Sequence, residues 1–182
     1  MPSRLRWFFL GIVTAFAGLG GGAYLFVRAG GVPMETSAKP LPLEQTLAQL
    51  ALRASIGNAE EETNPLPVND ANMLAGLDQY QDHCAVCHGI PGRPRTTISS
   101  GLFPHPPQLF DEGDMVTDEP EGITYWKVTH GIRLSGMPGF EGALSNTQRW
   151  QVTMLVASAD RLSPAVHAAL ATAASDAGRA SR

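Results

Sequence analysis

The chain has 182 residues, of which 43% are hydrophobic and 16% are charged, and its formal net charge is −4. These values are typical of one globular domain that carries an additional apolar segment. The acidic balance argues against a nucleic-acid partner, and two cysteines are too few for a disulfide framework.

An apolar run near the N-terminus predicts a membrane anchor over residues 1–28. Arg4 and Arg6 precede Trp7–Val27, which is 21 residues long and uncharged. As a helix this run would rise about 31 Å, which matches a bilayer core of roughly 30 Å. The apolar region of a cleavable secretory signal is shorter, about 7–15 residues. We therefore expect an uncleaved transmembrane helix; cleavage after the small-residue site that ends at Ala29 is the alternative.

Residues 29–69 read as a tether between the anchor and a folded domain. Gly, Pro, Ser and Lys are mixed at its start without apolar periodicity. Leu43, Leu47, Leu50 and Ala54 then recur at helical spacing, which predicts a short amphipathic helix. This helix would dock on the domain, lie on the membrane surface or remain purely local.

The domain is expected to span residues 70–160 and to begin with a helix capped by Asp70. Leu74, Leu77, Tyr80 and Cys84 fall on one face of that helix. The helix therefore ends at the most informative segment of the chain.

That segment is Cys84-Ala85-Val86-Cys87-His88, which has the C-x-x-C-H spacing of covalent haem attachment. Two thiols one helical turn apart can add to the two vinyl groups on one edge of a haem, and the adjacent imidazole can bind the iron. We interpret Cys84 and Cys87 as the anchors of haem c, and His88 as an axial iron ligand.

Two other uses of this segment are less consistent with the sequence. A thioredoxin-like C-x-x-C pair requires a preceding strand, whereas the residues before Cys84 have a helical pattern. A zinc site formed by His83, Cys84, Cys87 and His88 would have to wrap a tetrahedral ion with six consecutive residues, although structural zinc sites space their ligand pairs across a longer loop.

The first helix and its motif resemble the class I cytochromes c. Gly76 and Tyr80 stand eight and four residues before Cys84, and the first helix of that family carries a glycine and an aromatic residue at these offsets. The resemblance implies an all-α cytochrome c fold of three to four helices around a covalent haem, here preceded by a transmembrane helix. It also implies that the N–H of His88 bonds to a carbonyl in a proline-containing turn, for which Pro106–Leu109 is the nearest match in a proline-rich loop.

A second motif lies 49 residues beyond His88, where Met137 sits in the turn Gly136-Met137-Pro138-Gly139 after a helix expected over Ile123–His130. Class I cytochromes supply a thioether sulfur to the iron from a segment of this kind, and such a soft neutral ligand raises the potential. The resemblance therefore implies Met137 as the second axial ligand. His105 and His130 are the rivals, and either would give a bis-histidine site with a lower potential.

A capping box, Ser145-Asn146-Thr147-Gln148, predicts a last helix to about Asp160. In the family this helix crosses the first one at its glycine, so we expect Trp150 near Gly76 and Tyr80. The Ala-rich residues 161–182 have little apolar bulk, and we expect a flexible tail.

The acidic stretch Asp111–Glu121 contributes to a net charge of −6 in residues 70–160, which contain eleven acidic and five basic residues. It would either attract a basic docking face on a redox partner or be a merely solvated loop.

Together these features predict a membrane-anchored electron carrier with no small-molecule substrate. The resemblance implies that the membrane is a bacterial cytoplasmic membrane and that the haem domain lies on its periplasmic side. A fixed haem c relay subunit of a larger oxidoreductase is an alternative. A haem enzyme or gas sensor with an open iron position is a further one, and it requires that Met137 does not bind iron.

Overall fold

The computed structural model describes residues 2–180 of the chain, with side chains from 3 to 175. This part of the chain is helical and contains no named strand. It divides between Thr46 and Leu47 into two compact units.

The first unit contains α1, Pro2–Arg28, and residues 3–28 of this helix are exposed. Residues 3–28 of this helix are long and apolar enough to cross a membrane, by length and composition. The all-α class and the membrane-spanning candidate expected from the sequence are thus confirmed. α2, Glu44–Ile56, begins at the end of this unit and buries none of its residues.

The second unit contains a 3₁₀ turn and six further helices among the described residues. The turn is Ala59–Glu61, and the helices are α3 (Asp70–His83), α4 (Ala85–His88), α5 (Thr97–Gly101), α6 (Glu121–His130), α7 (Asn146–Ala157) and α8 (Pro164–Ala180). The N-cap of α3 is Asn69 rather than Asp70, because Asn69 is extended and its side-chain oxygen accepts the N–H of Asn72. The capping box of α7 forms as expected from Ser145 and Gln148.

The core lies where α3 crosses α7. A Cβ atom at Gly76 would overlap the backbone carbonyl of Gln151, so only glycine permits this approach. Tyr80, Val152, Met154 and Leu155 are almost completely buried around the crossing. The backbone at the crossing belongs to Gln151 and Val152, whereas Trp150 stacks on Tyr125 of α6 with ring centroids 3.9 Å apart.

The C-terminal segment differs from the flexible tail expected from the sequence. α8 packs on α3, and Val166, Leu170 and Ala173 are buried in this contact. Their spacing of four and three residues places them on one helical face. Although alanine dominates the segment, this single apolar stripe is enough to join the core.

Residues before Asp70 also belong to the packed unit. Ala59 is buried, and its carbonyl oxygen lies where a Cβ of Gly122 at the start of α6 would stand. The segment 59–62 therefore packs against α6, and it does not act as a free spacer.

Candidate haem-binding site

The C-x-x-C-H segment forms one tight turn at the end of α3. Cys84 ends α3 and precedes α4, and its carbonyl accepts the N–H groups of Cys87 at 3.0 Å and His88 at 2.9 Å. Both cysteines are free, half-buried thiols. Together with His88 they line one cleft, so the turn presents two sulfurs and an imidazole to the same space.

A backbone carbonyl orients the imidazole of His88. Its Nδ1 lies 2.8 Å from the oxygen of Pro107, which can only accept, so Nδ1 carries the proton. Burial lowers the pKa of His88, while the bond to Pro107 opposes this shift. The ring is therefore held neutral, with the lone pair on Nε2 available to a metal. The acceptor lies in the Pro106–Leu109 segment expected from the sequence.

Three side chains hold this carbonyl in place, a role that the sequence assigned to none of them. Arg95 donates to the carbonyl of Pro106 at 2.7 Å, and the amide of buried Gln108 donates to the carbonyls of Cys87 and Pro106 at 3.2 and 3.3 Å. The carboxylate of Asp114 accepts the backbone N–H of Gln108 at 3.0 Å and bridges to Arg95 at 3.3 Å. The proline loop is thus tied to the C-x-x-C-H turn from both sides.

Gly89 closes the turn after His88 in a left-handed conformation, with φ of 75°. A Cβ at this position would overlap the side-chain oxygen of Gln108. The backbone carbonyl of Gly89 accepts a hydrogen bond from the hydroxyl of Tyr80 at 2.7 Å. Burial raises the pKa of Tyr80, so its hydroxyl remains a protonated donor.

The thiol of Cys84 packs against the hydrophobic core. Burial, with a smaller contribution from the nearby Cys87, raises the pKa of Cys84 to about 12. Cys84 therefore remains a thiol at neutral pH, which makes it a weak nucleophile toward oxidants.

Met137 is carried by a hairpin-like turn between α6 and α7. Ile132 N–H donates to the carbonyl of Met137 at 3.1 Å, and the hydroxyl of Ser135 accepts the N–H of Met137 at 3.3 Å. Gly131, with φ of 70°, and Gly139 bring the two ends of the turn into backbone contact, where a Cβ on either would clash. Two glycines therefore close the turn around the methionine.

Met137 lines the same cleft as Cys84, Cys87 and His88, and it is the one methionine among the described lining residues. Met73 and Met154 are buried in the core. The two histidine rivals differ: His105 lines the cleft from an exposed position, whereas His130 lies outside it and packs on Trp126 at 5.0 Å between ring centroids. His83 is exposed and also lines the cleft.

The cleft wall is mostly apolar, with one charged corner. Leu109, Val128, Phe140 and Val156 are among the apolar lining residues. At the corner, Lys127 bonds both carboxylate oxygens of Glu119 at 2.9 and 2.7 Å, and the hydroxyl of Thr124 donates to the same carboxylate at 2.6 Å. The sequence placed Glu119 in a surface acidic stretch, and no periodic signal could have separated it from its exposed neighbours.

The donor set fits haem c. Two thiols, a neutral imidazole and a thioether in an apolar cleft are the groups that covalent attachment and axial ligation of haem iron require. Among the described residues, no cluster of three or more His, Cys, Asp or Glu side chains could hold a bare metal ion. The geometry therefore favours haem over the zinc site considered from the sequence.

Comparison with known proteins gives a family for this part of the chain. Residues 71–154, a little under half of the chain, match the family described as cytochrome c oxidase, cbb3-type, subunit III. A search of curated proteins gives no match. The matched range runs from the start of α3 to within α7 and includes the C-x-x-C-H turn and the Met137 turn. Residues 71–154 therefore form a class I c-type cytochrome domain, which implies a haem c cofactor and haem-based electron transfer.

Proposed function

We propose that this protein carries single electrons as a membrane-tethered monohaem cytochrome c. In this proposal Cys84 and Cys87 bind the haem covalently, and His88 and Met137 are the axial ligands of its iron. The bound haem would supply the redox chemistry by changing between the ferric and ferrous states. The observation that carries the proposal is the convergence of these four side chains on one apolar cleft.

The residues around the cleft suit an electron carrier. The bond from His88 to Pro107, with the Arg95, Gln108 and Asp114 contacts behind it, fixes the imidazole before haem is bound. The close backbone contact between Gly131 and Gly139 fixes the turn that carries Met137. Ligands that are held in position need little rearrangement when the charge on the iron changes, and that favours rapid electron transfer.

A fixed relay subunit of a terminal oxidase is the second candidate, and the family description favours it. The family that matches residues 71–154 is named for a subunit of a cbb3-type oxidase. Purification of the full-length chain in mild detergent, followed by identification of copurifying proteins, would separate a subunit from a free shuttle.

We also propose that α1 anchors the chain in a bacterial cytoplasmic membrane with the haem domain on the periplasmic side. The length and apolar composition of α1 support the anchor. The orientation rests on the haem motif, because covalent haem attachment of this type is known from that side of the membrane.

The proposed partner face is narrower than the acidic stretch in the sequence. Asp114 is paired with Arg95 and Glu119 with Lys127, which removes both carboxylates from the free surface charge. Asp111, Glu112 and Asp118 remain exposed. A basic docking face would meet these three carboxylates, and the resulting attraction would act mainly on the rate of encounter.

The test of the proposal is a carbon monoxide titration of the ferrous full-length protein. A closed sixth position predicts no binding at an appreciable rate, and a weak long-wavelength absorption band of the ferric iron–sulfur bond. Met137→Ala should keep the covalent haem, bind carbon monoxide readily and have a lower potential. Met154→Ala is the matched control, because Met154 lies in the core and should leave ligand binding unchanged.

Ready carbon monoxide binding by the unmodified protein, with no iron–sulfur band, would contradict the carrier function. The haem enzyme or gas sensor would then become the better explanation. If carbon monoxide does not bind and the spectrum is that of two histidine ligands, the carrier function would stand, with His105 in place of Met137 as the axial ligand.

A further inference from the structure

Haem has a polar edge, and the mostly apolar cleft has one charged corner. The macrocycle suits an apolar wall, but one edge carries two propionate carboxylates that are ionised at neutral pH. A carboxylate removed from water needs a cation or several hydrogen-bond donors, since desolvation alone would be costly. A charged corner in a haem-binding cleft is therefore a candidate site for a propionate.

The corner consists of Glu119, Thr124 and Lys127. Glu119 belongs to the loop before α6, while Thr124 and Lys127 lie on α6 about one turn apart. The side chains of Lys127 and Glu119 are only 23% and 22% exposed, so this is not an ordinary surface ion pair. All three residues line the cleft.

We propose that this corner receives a haem propionate, with Lys127 as its cation and with Glu119 and Thr124 as the residues that position Lys127. The inference rests on the haem site proposed above. An ammonium group has three N–H donors, and two of those of Lys127 point to the oxygens of Glu119. One donor is left for a further acceptor.

The neighbouring contacts are consistent with this division of roles. Thr124 donates to Oε1 of Glu119 and so takes up part of the negative charge that would repel a second carboxylate. Ser135, another hydroxyl of the cleft wall, is engaged inside the Met137 turn, where it donates to Ile132 and accepts from Met137. Lys127 is thus the one lysine or arginine among the described residues that line the cleft.

The arrangement has an electrostatic consequence for the iron. One cation shared between two carboxylates leaves a net charge of −1 at the corner, and nearby negative charge stabilises ferric over ferrous iron. Removal of the cation should therefore lower the potential, and removal of the Glu119 charge should raise it. An ion pair that lies beside the haem without binding a propionate would also give opposite shifts, because each charge acts on the iron through space. Observation of the propionate itself therefore distinguishes the two arrangements.

The experiment measures the midpoint potential of full-length, haem-loaded protein in detergent. Lys127→Gln should lower the potential and Glu119→Gln should raise it. The matched controls are Lys39→Gln, in the tether, and Glu141→Gln, at an exposed position. Both make the same change of charge outside the cleft and should leave the potential unchanged.

A second measurement observes the propionate itself. Haem made from carboxyl-labelled ¹³C-aminolevulinate carries the label in its propionates, so their infrared bands separate from those of Glu119 in reduced-minus-oxidised spectra. Lys127→Gln should shift a labelled band, and Lys127→Arg should keep the potential near that of the unmodified protein while also shifting the band. Lys127→Arg retains the cation and provides the test if Lys127→Gln does not fold.

Loss of the propionate contact and loss of the haem site give different results. If covalent haem and the redox couple are present but the labelled bands do not move, or the two charge variants shift the potential in the same direction, the propionate contact is overturned. If the unmodified protein carries no covalent haem, the proposed function itself is overturned.

Discussion

The hydroxyl of Tyr80 joins the first helix of the haem domain to the residue that follows His88. The sequence marks Tyr80 as an aromatic packing residue, and its ring does pack edge-on against Phe110 at 5.1 Å. The hydrogen bond to Gly89 could not be predicted, since it depends on the left-handed conformation at Gly89. The ring of Tyr80 thus packs in the core, while its hydroxyl donates a hydrogen bond to a backbone carbonyl.

Tyr80→Phe should keep the packing and leave the Gly89 carbonyl without this donor. We expect a loss of about 1–3 kcal/mol in the free energy of unfolding, the usual cost of an unsatisfied buried group. Guanidinium unfolding of the haem-loaded protein, followed by haem absorbance, measures the loss. Tyr24→Phe, in α1, is the control and should not change it. Equal stability of Tyr80→Phe and the unmodified protein would show that the bond contributes nothing.

The residues around His88 show how far sequence reasoning extends at this scale. Cys84, Cys87 and His88 form a contiguous motif, so their proximity follows from one helical turn. Gln108 and Cys87 are 21 residues apart, and Asp114 and Gln108 are six apart, within loops that have no periodicity. Such contacts depend on the path of the loop, which local preferences do not determine.

At the scale of elements, helices with clear end signals were predictable. Ser145 caps α7, as the capping box indicated. α6 ends at His130, as expected, and Gly131 follows it with φ of 70°. α5 was not expected in a loop rich in proline and glycine, yet it forms because Thr96 caps it by accepting the N–H of Ser99. α8 has the i, i+4, i+7 apolar stripe of a docked helix, but whether α3 offers a complementary surface is a tertiary question.

The crossing of α3 and α7 gives a prediction at this scale. Gly76→Val would place its side chain against the carbonyl of Gln151 and force the helices apart. We expect a loss of about 1–3 kcal/mol in the free energy of unfolding. Because α3 carries the C-x-x-C-H turn at its end, haem-loaded protein should also accumulate to a lower level. Thermal unfolding and the haem-to-protein absorbance ratio measure the two effects.

Gly142→Ala is the control for this crossing, since a Cβ at Gly142 would meet open space. A stable Gly76→Val protein with full haem content would mean that the two helices can separate without cost, and would contradict the close approach.

At the scale of the whole molecule, the haem domain is larger than the family resemblance alone indicated. The sequence placed its start near Asp70, but Ala59 is buried and the segment 59–62 packs on Gly122 at the start of α6. Helix α6 leads directly into the Met137 turn. The segment before Asp70 therefore supports the element that carries the second proposed ligand, which is a tertiary role that its acidic and proline-rich sequence does not reveal.

This packing and the apolar α1 lead to one prediction about the chain as a whole. Full-length protein should stay with membranes after a high-salt wash, because salt weakens surface charge contacts and does not release an inserted helix. Protein that starts at Leu47 and is exported behind a cleavable leader should be soluble, with haem attached. Protein that starts at Thr63 should also be soluble but less stable, because it lacks Ala59 and leaves Gly122 uncovered, while it keeps Asn69 as the N-cap of α3. Fractionation followed by thermal unfolding of the two soluble forms separates the effects. Release of the full-length chain by salt would contradict the anchor, whereas equal stability of the two shortened forms would contradict the role of residues 59–62.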